Sequence, residues 1–225
     1  MRFPVQQADP GKGKTKRAYL WVYRSNDLSG SPPMVVFDYQ TSRSGQHAAS
    51  YLGDWRGVLM VDDYGGYKAL FGKGAIELAC WAHARRKFFE LHAAGSHPVA
   101  AEALQRIAQL YAVEEQASSF TEDQRAAWRA AHSLPLLKAL HGWLKALRPT
   151  VANGGALAKA IDYTLGRWPA LMRYAHGGDL PIHNNPVEDA IRPIAFGKKN
   201  WLFARSGGAG EAPSAVEPEA PPKAA

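Results

Sequence analysis

The run Gly57-Val58-Leu59-Met60-Val61 constrains this chain more than any other feature. It is apolar throughout and stops at two adjacent aspartates, Asp62 and Asp63, before turning through Gly65-Gly66. A short continuous apolar run bounded by turn residues reads as a buried strand. Acids just beyond it either cap a following helix or put charge where chemistry needs it.

The flanking segments supply both sheet and cover. Upstream, AYLWVYRS and MVVFDYQ are rich in aromatic and β-branched residues and are separated by the turn-rich NDLSGSPP, so they predict an antiparallel hairpin. His47 to Leu52 predicts a short helix, and AIELACWA a further strand with Cys80 and Trp81 on it. From Pro98 to about Ala175 the period changes: Leu104, Ile107 and Tyr111, then Leu137, Leu140, Leu144 and Leu147, recur at helical spacing and predict packed helices. The final GGAGEAPSAVEPEAPPKAA has almost no large apolar residue and predicts a disordered C-terminal tail. The expected organisation is an α/β core over residues 1–97, a helical insertion over 98–176, the last helix of the core over 177–206, and the tail over 207–225.

Lys and Arg number 27 against 20 Asp and Glu, a net charge of +7 that suits a polyanionic partner. The single cysteine, Cys80, excludes an internal disulfide or a cysteine metal cluster and fits a reducing compartment. No apolar run is long enough to span a bilayer, so a cytoplasmic protein without a membrane partner is expected.

Three passages, GVLMVDDYGGY, CWAHARRKF and HNNPVEDAIRPIAFGKKNWLFA, taken in this order resemble the insertion sequence 66 family of DDE transposases. DPGKGKTKRAYLWVYRS and VVFDYQTSRSGQ match that family's pattern as well, so the resemblance runs from about residue 4 to 206. It implies an RNase H-like mixed sheet, metal-dependent DNA cleavage and strand transfer, and three acids holding Mg²⁺, with Mn²⁺ able to substitute. It also implies DNA as partner, at the ends of the element and at the target, and a homo-oligomer working on that DNA. Carried over by position, the second acid falls on Asp62 and the third on Glu188, both catalytic and metal-binding. Asp63 stands where the family usually has glycine.

Each acid also has a plain structural reading. Asp62 reads as a cap on a short helix near Tyr67. With Asn185 as N-cap and Pro186 at N1, Glu188 falls at the capping-box position, four residues before Arg192. The first acid of the family precedes a Pro-Val-like pair. Here that place is Met1, three residues before Pro4-Val5, and Asp9 and Asp38 are the nearest substitutes. On this reading the chain is an incomplete copy with half of a central first strand, of marginal stability, whose alternative role is that of a catalytically dead DNA-binding remnant. Candidate DNA contacts are Lys198, Lys199 and Asn200 after the Glu188 helix, and Arg85, Arg86 and Lys87, which read equally as a solvated helix face. His83 and His183 read as structural, and Trp81, Trp168 and Trp201 as core.

Overall fold

The computed structural model describes residues 1–9, 14–95 and 97–197. Strand β1 (Arg2–Asp9) runs antiparallel to β2 (Lys14–Arg24), which pairs on its other side with β3 (Val35–Gln40). The β2–β3 hairpin is the one the sequence predicts, with Trp21 opposite Asp38 and Val22 opposite Phe37. Helix α1 (Gly45–Leu52) begins at Ser44, whose hydroxyl accepts the N–H of Gln46 as an N-cap. Then β4 (Val58–Val61), α2 (Lys68–Gly72) and β5 (Ile76–Ala79) follow, and β4 and β5 pair in parallel. The connection through α2 is what a parallel pair requires, since a hairpin turn cannot reverse the chain twice.

The apolar strand at Val58 thus lies where the sequence puts it, but the β5 region is shorter than expected. The strand ends at Ala79, and Trp81 already opens α3 (Trp81–Gly95). The described strands also divide into two sheets rather than one. A cleft of about 660 Å³, lined among others by Met1, Val22, Val58 and Val61, opens between them, and among the described strands β1 is paired with β2.

The helical block comprises α4 (Pro98–Gln116), α5 (Glu122–Leu147), α6 (Ala156–Gly166) and α7 (Trp168–Met172). Pro98 starts α4 at its first turn, where a missing N–H costs nothing. Thr121 and Gln124 form a reciprocal capping box at the start of α5. Ile107, Leu110, Leu137, Leu140 and Leu144 are buried in one cluster with Leu78 and Trp81, and Leu104, Tyr111 and Leu147 pack against it. The predicted stripes are therefore core. So are Trp81 and Trp168, whose rings meet edge to face at 5.8 Å. A second, smaller cluster around Trp21, Val61 and Tyr67 joins the three-stranded sheet to α1 and the turn after β4.

Two buried arginines on α5 fasten the block to the chain that leaves it. Arg129, fully buried, donates to both carboxylate oxygens of Glu114 and to the carbonyls of Tyr174 and Gly177. Arg125 donates to the carbonyls of Gly178 and Phe120. Each pairs charge with oxygen where water is absent, which is the condition under which a buried guanidinium is tolerated. The segment so held leads to α8 (Asn185–Gly197). Trp201 and the expected tail lie outside the described residues.

Candidate functional site

Strand β4 delivers Asp62 immediately after buried Val61, at the carboxyl end of the parallel pair. Asp62 Oδ1 accepts the N–H of Tyr64 at 3.2 Å, an Asx-type turn rather than the helix cap expected from sequence. A Cβ built on Gly66 would lie 2.2 Å from the Tyr64 ring, and the glycine facing it across the turn, Gly45, is bare for a second steric reason. A Cβ built on Gly45, at the start of α1, would lie 2.1 Å from the Gly66 carbonyl oxygen, so the turn and the helix touch through bare backbone. Asp62 faces several groups at once. The Met1 ammonium is pulled down to about 6 by burial, with the Asp62 charge opposing. The Tyr67 phenol is pushed up by burial, and Asp62 adds to that.

Asp63 points elsewhere. Its carboxylate takes one Arg167 nitrogen at 2.9 Å, and the other goes to Glu77 at 2.5 Å. Arg167, between α6 and α7, thereby ties the turn after β4 to β5 and to the helical block. Nothing in LGRWPAL marks this arginine in the sequence.

Glu188 sits in the first turn of α8, but not at the capping-box position. The helix begins at Asn185, and the Glu188 N–H reaches the Asn184 carbonyl at 3.4 Å, so Asn184 holds the cap position and Glu188 is one place further on. The cause lies across the core. The Cys80 thiol donates to Asn184 Oδ1 at 3.1 Å, the Asn184 N–H donates back to Cys80 Sγ at 3.4 Å, and the Trp81 N–H donates to the Ile182 carbonyl at 3.1 Å. This three-bond clasp fixes the backbone and takes the Asn184 side chain away from capping. The expected Glu188–Arg192 pair is absent as well; Arg192 bonds Asp189 at 2.7 Å, one residue nearer.

Freed from its own helix, Glu188 faces α3. Its oxygens lie 3.8 Å from Arg86 and 3.9 Å from His83 Nε2. His83 is depressed by burial, with Glu188 and Asp62 both acting to raise it and Arg86 and Arg167 to lower it. Glu188 is the acid in contact with the imidazole; the Asp62 charge acts on it without a contact. Nothing in the sequence separates His83 from an ordinary packed histidine; only its place two residues after the Trp81 clasp does so. His183 stacks on Tyr111 at 5.8 Å and accepts the Asn185 N–H, as a structural histidine does.

Of the basic candidates, Arg85, Arg86 and Lys87 are exposed on α3 while Phe88 is buried. They diverge: Arg86 turns to Glu188, Arg85 lies over Phe89 at 5.7 Å, and Lys87 over Tyr163 at 5.4 Å. Lys198, Lys199 and Asn200 lie outside the described residues. Asp38 accepts the side-chain amide of Gln40 on β3. Asp9 closes the far end of β1, roughly 26 Å from Met1 at ~3.3 Å per residue, so it is no substitute beside Asp62.

Among the described residues no three His, Cys, Asp or Glu side chains gather closely enough to hold a metal ion. The donors present nonetheless suit a hard divalent cation. Asp62 spends one oxygen on a backbone N–H, and Glu188 has only contacts beyond hydrogen-bond length.

A sequence model of a family described as "Transposase IS66 family" matches residues 2–212. Three relatives from Sinorhizobium fredii (strain NBRC 101917 / NGR234) are similar, each bearing the name of an uncharacterized protein. The protein y4qI is 37% identical over 213 residues, covering 89% of this chain and 39% of its own length. The protein y4hP is 31% identical over 221 residues, covering 90% and 40%. The protein y4jD is 33% identical over 217 residues, covering 92% and 42%. The chain thus spans about two fifths of the length of these curated relatives. No solved structure matches it.

Proposed function

The chain belongs to the IS66 family of transposases, and we propose that it carries DDE-type catalytic machinery, cutting DNA and transferring the cut strand with Asp62 and Glu188 as two of the acids. The observation that supports this reading is the placement of the two elements: Asp62 follows Val61, whose ladder partner Ala79 leads into Cys80, and the Cys80–Asn184 clasp holds the start of the Glu188 helix against that same strand end.

Three antiparallel strands followed by a parallel pair, with an acid at the end of β4, support an RNase H-like arrangement. The place that the resemblance assigns to the first acid, residue 1, lies within electrostatic reach of Asp62. Asp62 and Glu188 would hold Mg²⁺ or Mn²⁺, which would activate a water or a DNA 3′-hydroxyl and offset charge on the leaving oxygen. Arg86 sets a cation beside Glu188, where a substrate phosphate would come. The partner is DNA, at the ends of the element and at the target, and the working form is a homo-oligomer on it.

Nicking of supercoiled plasmid in Mn²⁺ tests this. Cleavage should be lost in Asp62→Ala and in Glu188→Ala. Cleavage that survives both substitutions, or none by the wild type, refutes the assignment.

A further inference from the structure

Beside Glu188 lies a cleft of about 760 Å³ between α3, α4 and α8. That volume is of the size that takes one small organic ligand. It is too small for a duplex. Ala82, Ala108 and Ala112 leave the room, while Phe89, half exposed, and Tyr111 present aromatic surface to it. An exposed phenylalanine in a cleft wall is costly to leave uncovered, unlike the neighbouring Phe88, which is fully buried.

The charges decide what kind of ligand fits. Arg85, Arg86 and Arg192 are balanced by Glu115, Glu188 and Asp189, so the cleft is not a trough for a run of phosphates. Two of the arginines already lean on carboxylates, Arg86 on Glu188 and Arg192 on Asp189. Arg85 has no carboxylate partner among the described residues and lies over the Phe89 ring. An aromatic face with one available guanidinium beside it matches one base and one phosphate, the stacking and charge pairing that proteins use for single strands.

We propose that this cleft receives one unpaired nucleotide of the DNA strand being cut, its base stacked on Phe89 and its phosphate on Arg85. The inference rests on the transposase reading for the identity of the strand, since Glu188 forms the shared wall. It specifies what the reading leaves open: the nucleotide next to the reacting phosphodiester is held out of the duplex.

Fluorescence anisotropy of the full chain in EDTA separates the two ideas, because no chemistry occurs there. A labelled single-stranded oligonucleotide and its blunt duplex are titrated at fixed salt. Phe89→Ala should weaken single-strand binding about tenfold or more and leave duplex binding unchanged, and Phe89→Trp should restore it. Arg85→Gln should weaken single-strand binding and reduce its salt dependence. Unchanged single-strand affinity in Phe89→Ala, equal loss of both DNAs, or no binding of the oligonucleotide by the wild type overturns the proposal. Failure of the catalytic reading shows instead as Mn²⁺-dependent nicking indifferent to Asp62 and Glu188, whatever the anisotropy reports.

Discussion

Replacing Arg129 with alanine should be the most damaging single change in the helical block. The side chain has no exposure and four hydrogen bonds, two to Glu114 and two to the carbonyls of Tyr174 and Gly177. Removing it leaves the Glu114 carboxylate without its cation and two carbonyls without donors. Breaking a buried pair from one side costs roughly 3–5 kcal/mol, against a total stability of about 5–15 kcal/mol for a typical domain. For a chain of this size that corresponds to a drop in Tm of roughly 6–20 °C. Urea unfolding followed by tryptophan fluorescence should show a lower midpoint at unchanged slope. Arg192→Ala is the control, since the Arg192–Asp189 pair is exposed on both sides and screened by solvent; it should unfold with the wild type. A loss below about 1 kcal/mol in Arg129→Ala would refute the claim that this arginine holds the block to the segment leading into α8.

The remaining expectations concern packing, pH and solubility. Gly45→Ala should destabilise by about 1–3 kcal/mol, because its Cβ would meet the Gly66 carbonyl in the turn after Asp62; thermal unfolding checks this, and an unchanged midpoint would mean the two backbones separate freely. His183 is depressed by burial, so the unfolded chain binds its proton first. Its share of stability is therefore complete above the unfolded value of about 6.5 and is lost as pH falls through the lower folded value. His183→Gln should flatten the urea midpoint against pH below 6.5, and an unaltered slope would contradict it. Among the described strands β3 is an edge, with Val35, Val36, Phe37 and Tyr39 exposed on it, so Phe37→Lys should reduce light scattering on concentration. Equal aggregation would place the sticky surface elsewhere.

Much of the fold is legible because periodicity is a local signal. The β2–β3 hairpin, the strand at Val58 and the stripes on α4 and α5 follow from side-chain spacing alone. What the sequence hides is set by contacts remote along the chain. Whether Glu188 caps its own helix depends on Cys80, on another element, drawing off the Asn184 side chain. Whether Asp63 serves the site depends on Arg167, also distant in sequence. Local rules predict the capping box well and cannot see the clasp that moves the helix start by one residue. The same holds for Arg125 and Arg129, which sit on a helix whose neighbours give no sign that two cations face inward.

The central claim is that Asp62 and Glu188 act on a common divalent ion, and Mn²⁺ binding tests it most directly. The electron paramagnetic resonance signal of free aqueous Mn²⁺ falls as the ion binds, and it can be followed without DNA and without catalysis. Titration with the wild-type chain should consume that signal, and Asp62→Asn and Glu188→Gln should each leave most of it in place. Equal consumption by the wild type and both variants would contradict the account, because the ion would then be held without the residues on which it rests.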